Sequence, residues 1–145
     1  MGFEGGRRTV NIVFADAGYW VALRNRRDVC HSKAIEIAQK LIGERSRILT
    51  TSFVFAEVYA IFSRMQNVRE QVVRDFWENP IVQLEQATYE DQTGALLLLK
   101  EHADKSFSFA DALSFVIMNR WAVRRAVSFD GHFKQYGRFE LIDAV

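Results

Sequence analysis

The chain is 145 residues long, with 49% hydrophobic residues, 26% charged residues and a formal net charge of +1. A chain of this length can bury a stable core without disulfides or structural metals. Its single cysteine, Cys30, excludes an internal disulfide and suits a reducing compartment. The balanced charge is not that of a protein that coats nucleic acid, so any binding of a polyanion must come from local patches.

The first 80 residues predict, in chain order, a strand, two helices, a strand and two further helices, which cover residues 10–15, 19–25, 32–41, 47–50, 52–65 and 67–78. The opening run is short and rich in β-branched residues, which favours a buried strand. The apolar run at 52–65 is too long and unbroken for a strand, so we predict a helix. The last of these helices ends before Asn79-Pro80.

The remaining residues predict a strand, two helices and two strands, at residues 81–85, 88–103, 107–120, 125–129 and 139–143. Strands that alternate with helices imply right-handed crossovers and a mostly parallel sheet with helices on both faces, which is an α/β fold. In such folds the functional site lies beyond the carboxyl ends of the strands.

We find no domain boundary, because the chain has one proline, no linker rich in glycine and serine, and no internal repeat. We interpret residues 1–8 as a loose lead-in and residues 9–145 as a single domain. The N-terminal stretch has no apolar run long enough for a signal peptide or a membrane span, so we expect a cytoplasmic protein with no membrane attachment.

Four acidic residues interrupt segments that otherwise look buried. Asp16 and Asp130 follow the first strand and a late strand, at their carboxyl ends. Glu57 lies in a run, residues 53–62, whose other nine members are all apolar, and Asp111 lies in the apolar stretch 107–120. Because the two helical acids fall in opening turns that follow strands or loops, we expect all four carboxylates at the same edge of the sheet.

Four carboxylates at one edge repel one another, and at least one pKa rises unless a cation neutralises them. The sequence places no lysine or arginine directly beside any of the four. Mg²⁺ or Mn²⁺ suits a ligand set made only of oxygen atoms, and such ions activate water for the cleavage of phosphodiesters. A metal-dependent nuclease is therefore the natural hypothesis.

Three of the four acids also have structural interpretations. Ser108 and Asp111 match a capping box at a helix N-terminus, Asp16 can cap the helix after its strand, and Asp130-Gly131 can be a turn. Glu57 is harder to explain in this way, because it lies too far inside its apolar helix for capping. The four acids together favour a site.

These stretches resemble the PIN-domain family, most closely the VapC-type toxins of bacterial and archaeal toxin–antitoxin pairs. The matching segments span essentially the whole chain and read VFADAGYWVAL, LTTSFVFAEVYAIFSR, DKSFSFADALSFVIMNR and AVSFDGHFKQYG. The resemblance implies a PIN-like three-layer sandwich and an endoribonuclease that depends on Mg²⁺ or Mn²⁺. A housekeeping PIN nuclease of RNA processing and a non-catalytic PIN module that binds protein are the alternatives.

By position, the resemblance makes Asp16, Glu57 and Asp111 metal ligands, with Asp130 as a ligand or as the base that orients water. Ser108 would help to position the site, and Asp104 would be a weaker acid outside the ligand set. The family often has serine or threonine after the first acid, where this chain has Ala17.

The resemblance also implies a homodimer and a cognate antitoxin whose tail enters the acidic groove. The apolar surface of residues 53–65 and the rings of Trp77 and Trp121 are candidate contacts, although such rings are more often core.

Two arginine clusters and a histidine are candidates for contact with RNA phosphates. The clusters are Arg24, Arg26 and Arg27, and Arg120, Arg124 and Arg125, and the histidine is His132. Solvated helix ends explain the arginines equally well, since cations are favourable at a helix C-terminus. No motif for reading bases is present.

Overall fold

The computed structural model describes residues 11–142. Its strands are β1 (Ile12–Ala15), β2 (Arg47–Thr51), β3 (Val82–Glu85), β4 (Arg125–Val127) and β5 (Glu140–Leu141). Its helices are α1 (Ala17–Arg24), α2 (His31–Gly43), α3 (Ser52–Ile61), α4 (Gln66–Trp77), α5 (Tyr89–Glu101), α6 (Phe109–Trp121) and α7 (His132–Tyr136). No helix in this range is both long enough and apolar enough to cross a membrane.

The strands form one sheet in the order β3-β2-β1-β4-β5, and every pairing in it is parallel. The central strand β1 pairs with β2 on one side, where Phe14 lies beside Leu49, and with β4 on the other, where Phe14 lies beside Ala126. The predicted α/β class is confirmed. Because parallel strands end at the same edge, the residues after β1 and β4 lie next to each other.

The sheet is buried by the helices that cover it. Val13, Phe14 and Ala15 of β1 have no exposed surface, as expected for a parallel strand covered on both faces. Two aromatic contacts fix α6 and α7 over the sheet: Phe115 stacks on Tyr136 with ring centroids 4.3 Å apart, and Phe133 lies 5.9 Å from Phe14. These contacts place the start of α7 at the carboxyl edge of the sheet.

Three helices begin at side-chain caps. The hydroxyl of Thr51 accepts a hydrogen bond from the backbone N–H of Val54 at the start of α3. Both α5 and α6 begin with a complete capping box, formed by Thr88 with Asp91 and by Ser108 with Asp111. These bonds satisfy N–H groups that lack partners in the first turn of a helix, which fixes where each helix begins.

The structure differs from the predicted elements at three places. The helix predicted over 52–65 ends at Ile61, because a turn at 62–64 separates it from α4. The strand predicted over 125–129 ends at Val127, whose carbonyl accepts the last sheet bond from Asp16. The helix α7 is missing from the prediction, since five residues are too few to show a helical period. Three predicted parts lie outside the described residues: the lead-in at 1–8, Val10 of the first predicted strand and Asp143 of the last.

Candidate active site

Asp16 lies at the carboxyl edge of the sheet, between β1 and α1. One of its carboxylate oxygens accepts a hydrogen bond from the hydroxyl of Ser128, at 3.2 Å. Asp16 occupies the N-cap position of α1, yet its side chain makes no capping bond. The capping interpretation of Asp16 is therefore wrong, and its buried carboxylate is available for another role.

Asp111 lies in the first turn of α6 and is also buried. Its Oδ2 accepts a hydrogen bond from the backbone N–H of Ser108 at 2.9 Å, and its own N–H donates to the Ser108 hydroxyl at 3.0 Å. The capping interpretation of Asp111 is confirmed, but it involves only Oδ2. Within residues 11–142, Asp111 Oδ1 has no hydrogen-bond partner, so it can bind a ligand while the cap stays intact.

Asp130 follows β4 and is half exposed. Its Oδ1 accepts a hydrogen bond from the backbone N–H of His132 at 2.8 Å, which starts α7. The turn interpretation of Asp130 is therefore confirmed as well. A structural bond on one oxygen still leaves the other oxygen of this carboxylate open to solvent.

Glu57 lies in the second turn of α3, and its burial is a correction to the sequence analysis. The apolar run at 53–62 is not buried throughout, because α3 packs against the core along one side. Val54, Val58 and Phe62 are in the core, whereas Ala56, Glu57, Ala60 and Ile61 are exposed. Partial burial of its carboxyl group, together with the charges of Asp111 and Asp130, raises the pKa of Glu57.

The four predicted acids form one electrostatic group. Burial, together with the charges of Asp130, Asp111 and Glu57, raises the pKa of Asp16 to about 7, although a backbone hydrogen bond at Ala17 lowers it in part. No lysine or arginine among the described residues offsets these charges at Asp16. An uncompensated group of four carboxylates, two of them buried, is costly, and a divalent cation with a preference for oxygen ligands would neutralise it. The donor set therefore fits Mg²⁺ or Mn²⁺.

His132 also belongs to this group, which the sequence analysis did not predict. Its Nδ1 lies 2.7 Å from Asp111 Oδ2 and 3.8 Å from Asp130 Oδ1. One ligand atom from each of these three residues falls within 4.8 Å of the others. The short helix α7 sets the position of His132, and a helix of this length has no clear pattern in the sequence. The signal that could have indicated its place in this group is that His132 follows Asp130 by two residues.

The two auxiliary candidates have different surroundings. Ser108 contacts Asp111 directly through both bonds of the capping box. Asp104 is largely exposed and lies 3.4 Å from Lys105 Nζ, which makes it a solvated ion pair. The structure thus brings Ser108 into contact with the acidic group and gives no such contact for Asp104.

Three of the six candidate arginines already have carboxylate partners. Arg24 binds both oxygens of Asp75, and Arg120 binds Asp91 and Glu85. Arg125 lies 3.7 Å from Glu44, at the amino end of β4 and away from the acidic edge. Among the six candidates, those that stay exposed without a carboxylate partner in the described range are Arg26, Arg27 and Arg124.

Residues 13–139 match the family model of the PIN domain, so the chain belongs to the PIN-domain family. Among its relatives is the 23S rRNA-specific endonuclease VapC20 of Mycobacterium tuberculosis, which is 27% identical over 131 residues. The match covers 90% of this chain and 98% of the relative. The resemblance found in the sequence is confirmed.

Solved structures agree with this family. The crystal structure of VapC20, described as a toxin that cleaves the sarcin-ricin loop, has a TM-score of 0.79 and 25% identity, and the match covers 90% of this chain and 98% of that one. VapBC2 from Rickettsia felis, bound to a DNA fragment from its promoter, has a TM-score of 0.68 at 13% identity, over 90% of this chain and 97% of that one. A toxin–antitoxin complex from Klebsiella pneumoniae has a TM-score of 0.64 at 12% identity, and the match covers 92% of this chain and 98% of that one. At such low identity, the last two show the fold alone.

Proposed function

We propose that the protein is an endoribonuclease that depends on Mg²⁺ or Mn²⁺ and that it is the toxin of a toxin–antitoxin pair. The observation that carries this proposal is the electrostatic group of Asp16, Glu57, Asp111 and Asp130 at one edge of the sheet. The family and the relationship to VapC20 support it.

In this proposal Asp16, Glu57 and Asp111 hold the ion. The hydroxyl of Ser128 orients Asp16, and the capping box orients Asp111, so two of the three carboxylates are fixed before any ligand arrives. When bound, the ion lowers the pKa of a coordinated water and neutralises charge on the scissile phosphate.

Asp130 is suited to bind a second ion or to orient the attacking water. Its carboxylate is the more solvent-exposed of the two strand-end acids, and the N–H of His132 holds one of its oxygens. We assign Ser108 the role of positioning Asp111. Asp104 is given only a weak, long-range electrostatic role, because its carboxylate is solvated and paired with Lys105.

The proposed substrate is RNA, and the proposed place of action is the cytoplasm. VapC20 acts on 23S rRNA, so 23S rRNA is the first substrate to test for this chain. At 27% identity, the cleavage site of VapC20 cannot be transferred to this chain, so the cleavage site must be determined by experiment.

We further propose a protein antitoxin as partner and a homodimer as the working state. The similarity to VapC20, which is described as a toxin, supports the antitoxin, since a toxin of this kind needs a partner that neutralises it. Exposed apolar side chains at the outer side of α3 and α4 support a protein contact in this region: Ile61 is 59% exposed and Trp77 51%. Trp121 is the weaker candidate, because it is partly buried and packs against the core.

The test is cleavage of total RNA and of 23S rRNA by the purified protein with Mg²⁺, with Mn²⁺ and with EDTA. Asp111→Asn should reduce cleavage at least about 100-fold, because it weakens the hold on the cation that stabilises negative charge in the transition state. Asp91→Asn is the matched control, because Asp91 is also a buried capping-box acid, but at the start of α5. It should keep near-native cleavage.

Two results would contradict the proposal. One is intact RNA with either ion, in a preparation free of any co-purified inhibitor. The other is equal cleavage by the native protein and Asp111→Asn, which would point to a contaminating nuclease.

A further inference from the structure

The acidic edge alone cannot attract RNA, because four carboxylates repel phosphates. The net charge of +1 gives no general attraction either. If the protein binds RNA, the affinity must come from a local group of cations that carboxylates of the chain do not already neutralise.

One groove in the described part of the chain meets this requirement. It has a volume of about 570 Å³ and lies between the α1–α2 loop and the start of α4. Its loop side carries Arg26 and Arg27, and Met65 and Val68 provide apolar surface on the other side. No aspartate or glutamate lines it. A volume of this size lies within the range of ligand clefts, roughly 300 to 1,000 Å³.

The cations at this groove are available to a ligand. Arg26 and Arg27 are exposed, and no carboxylate in residues 11–142 pairs with them. The side chain of Asn25 accepts a hydrogen bond from the backbone N–H of Arg27 at 3.0 Å, which fixes the loop and leaves the guanidinium groups outward. Arg64, equally exposed, lies on the adjoining surface that shares Met65 and Val68 with the groove. Arg24 also lines the groove, but Asp75 neutralises it.

Helices α1 and α3 extend from the acidic site to the groove. Asp16 precedes α1, and Arg24 ends it; Glu57 lies in α3, and Met65 follows it. The groove therefore lies at the far ends of α1 and α3, and the eight residues of α1 set a separation of about 12 Å along that helix.

We propose that this groove binds the RNA strand next to the cleavage site, with Arg26, Arg27 and Arg64 on phosphates and Met65 and Val68 against a base or ribose. The inference rests on the proposed function and deepens it. RNA is the favoured occupant because the groove offers several unpaired cations and no acid, together with apolar surface for a base face.

The test is a binding titration of fluorescently labelled single-stranded RNA with Asp111→Asn protein, at several salt concentrations and without divalent ions. Adding Arg26→Ala and Arg27→Ala should weaken binding about tenfold. It should also reduce the slope of log K against log salt by about 1.4, since each lost phosphate contact with a single strand removes about 0.7. Arg26→Lys with Arg27→Lys should restore most of the affinity, and Met65→Glu should weaken binding.

The matched control is Arg45→Ala with Arg47→Ala. This pair removes the same number of exposed arginines from the amino end of the sheet, so the net charge changes equally. Its effect on binding should be less than twofold, because neither residue is a candidate for contact with RNA phosphates. Equal losses in the two pairs would overturn the inference by showing that only net charge matters.

Failure of the inference can be told apart from failure of the proposed function. Unchanged RNA affinity and salt slope in Arg26→Ala/Arg27→Ala would overturn the groove, even if the native protein cleaves RNA. If that double variant binds RNA normally and loses the antitoxin instead, the groove binds a peptide and the inference is wrong. If the native protein does not cleave RNA, this result contradicts the proposed function alone, because the binding titration does not depend on catalysis.

Discussion

Asp16 is the residue on which the electrostatics of the site depend. It is 5% exposed, it lies among three other carboxylates, and its pKa is raised from 3.8 to about 7. A raised pKa means that the folded protein holds this proton over a pH range in which the unfolded chain has already released it. The stability of the ion-free protein should therefore fall as the pH rises from about 4 to about 7.

Asp16→Asn should remove this pH dependence. At pH 8 without divalent ions, we expect the variant to be more stable than the native protein by up to about 4 kcal/mol, since one unit of pKa corresponds to about 1.4 kcal/mol. At pH 4 the two proteins should differ by no more than about 0.6 kcal/mol, because the folded protein keeps the Asp16 proton and the unfolded chain, with a pKa of 3.8, has released only about half of it. Urea unfolding at the two pH values in EDTA measures this.

Asp104→Asn is the control for this prediction, because Asp104 is exposed and lies in a solvated ion pair. It should leave the stability within about 0.5 kcal/mol at both pH values. A native protein that is as stable as Asp16→Asn at pH 8 would show that the buried charge carries no penalty.

His132 contacts the same oxygen of Asp111 that accepts the capping bond. A cation can bind the free Oδ1, but the imidazole N–H at Oδ2 draws negative charge away from the same carboxylate. His132→Ala should therefore bind Mn²⁺ about threefold more tightly, measured by isothermal titration. Weaker binding in the variant would instead make His132 a metal ligand.

At the scale of the element, α6 has a structural role and a functional role that can be separated. Ser108→Ala removes the cap of α6, and Thr88→Ala removes the equivalent cap of α5. Each should cost about 1 kcal/mol of unfolding free energy. Only Ser108→Ala should also reduce RNA cleavage, because Asp111 then loses a bond that fixes its position.

The measurement is a comparison of cleavage rates at matched folded fractions. Native cleavage rates in both variants would mean that Asp111 keeps its place without Ser108. An equal reduction of the rate in both variants would mean that the loss of stability, and not the position of Asp111, limits cleavage.

The sequence predicted the strands, the helices over 11–121 and the strand-end acids, because these depend on local patterns of apolar residues. It did not predict that Glu57 lies on an exposed face, since α3 is apolar on all sides and only packing decides which side is buried. It also missed the contact of His132 with Asp111. That contact needs the five-residue α7 and the aromatic packing of Phe133, which join parts of the chain distant in sequence.

At the scale of the whole molecule, we propose that residues 9–145 fold as one unit. A single parallel sheet and one buried cluster of apolar side chains extend from β1 to β5 in the described range. Unfolding should therefore be two-state, with coincident urea transitions by tryptophan fluorescence and by far-ultraviolet circular dichroism. Transitions that separate by probe would indicate more than one cooperative unit.

The bond between Ser128 and Asp16 joins residues 112 positions apart. The acidic group therefore cannot assemble until β4 has paired with β1, which is among the contacts of longest range in the chain. Contacts of this range form slowly, because the intervening chain must first be ordered. Under the proposed function, a chain that emerges from the ribosome in this order lacks a complete active site throughout most of its own synthesis, and this interval is available for an antitoxin to be made.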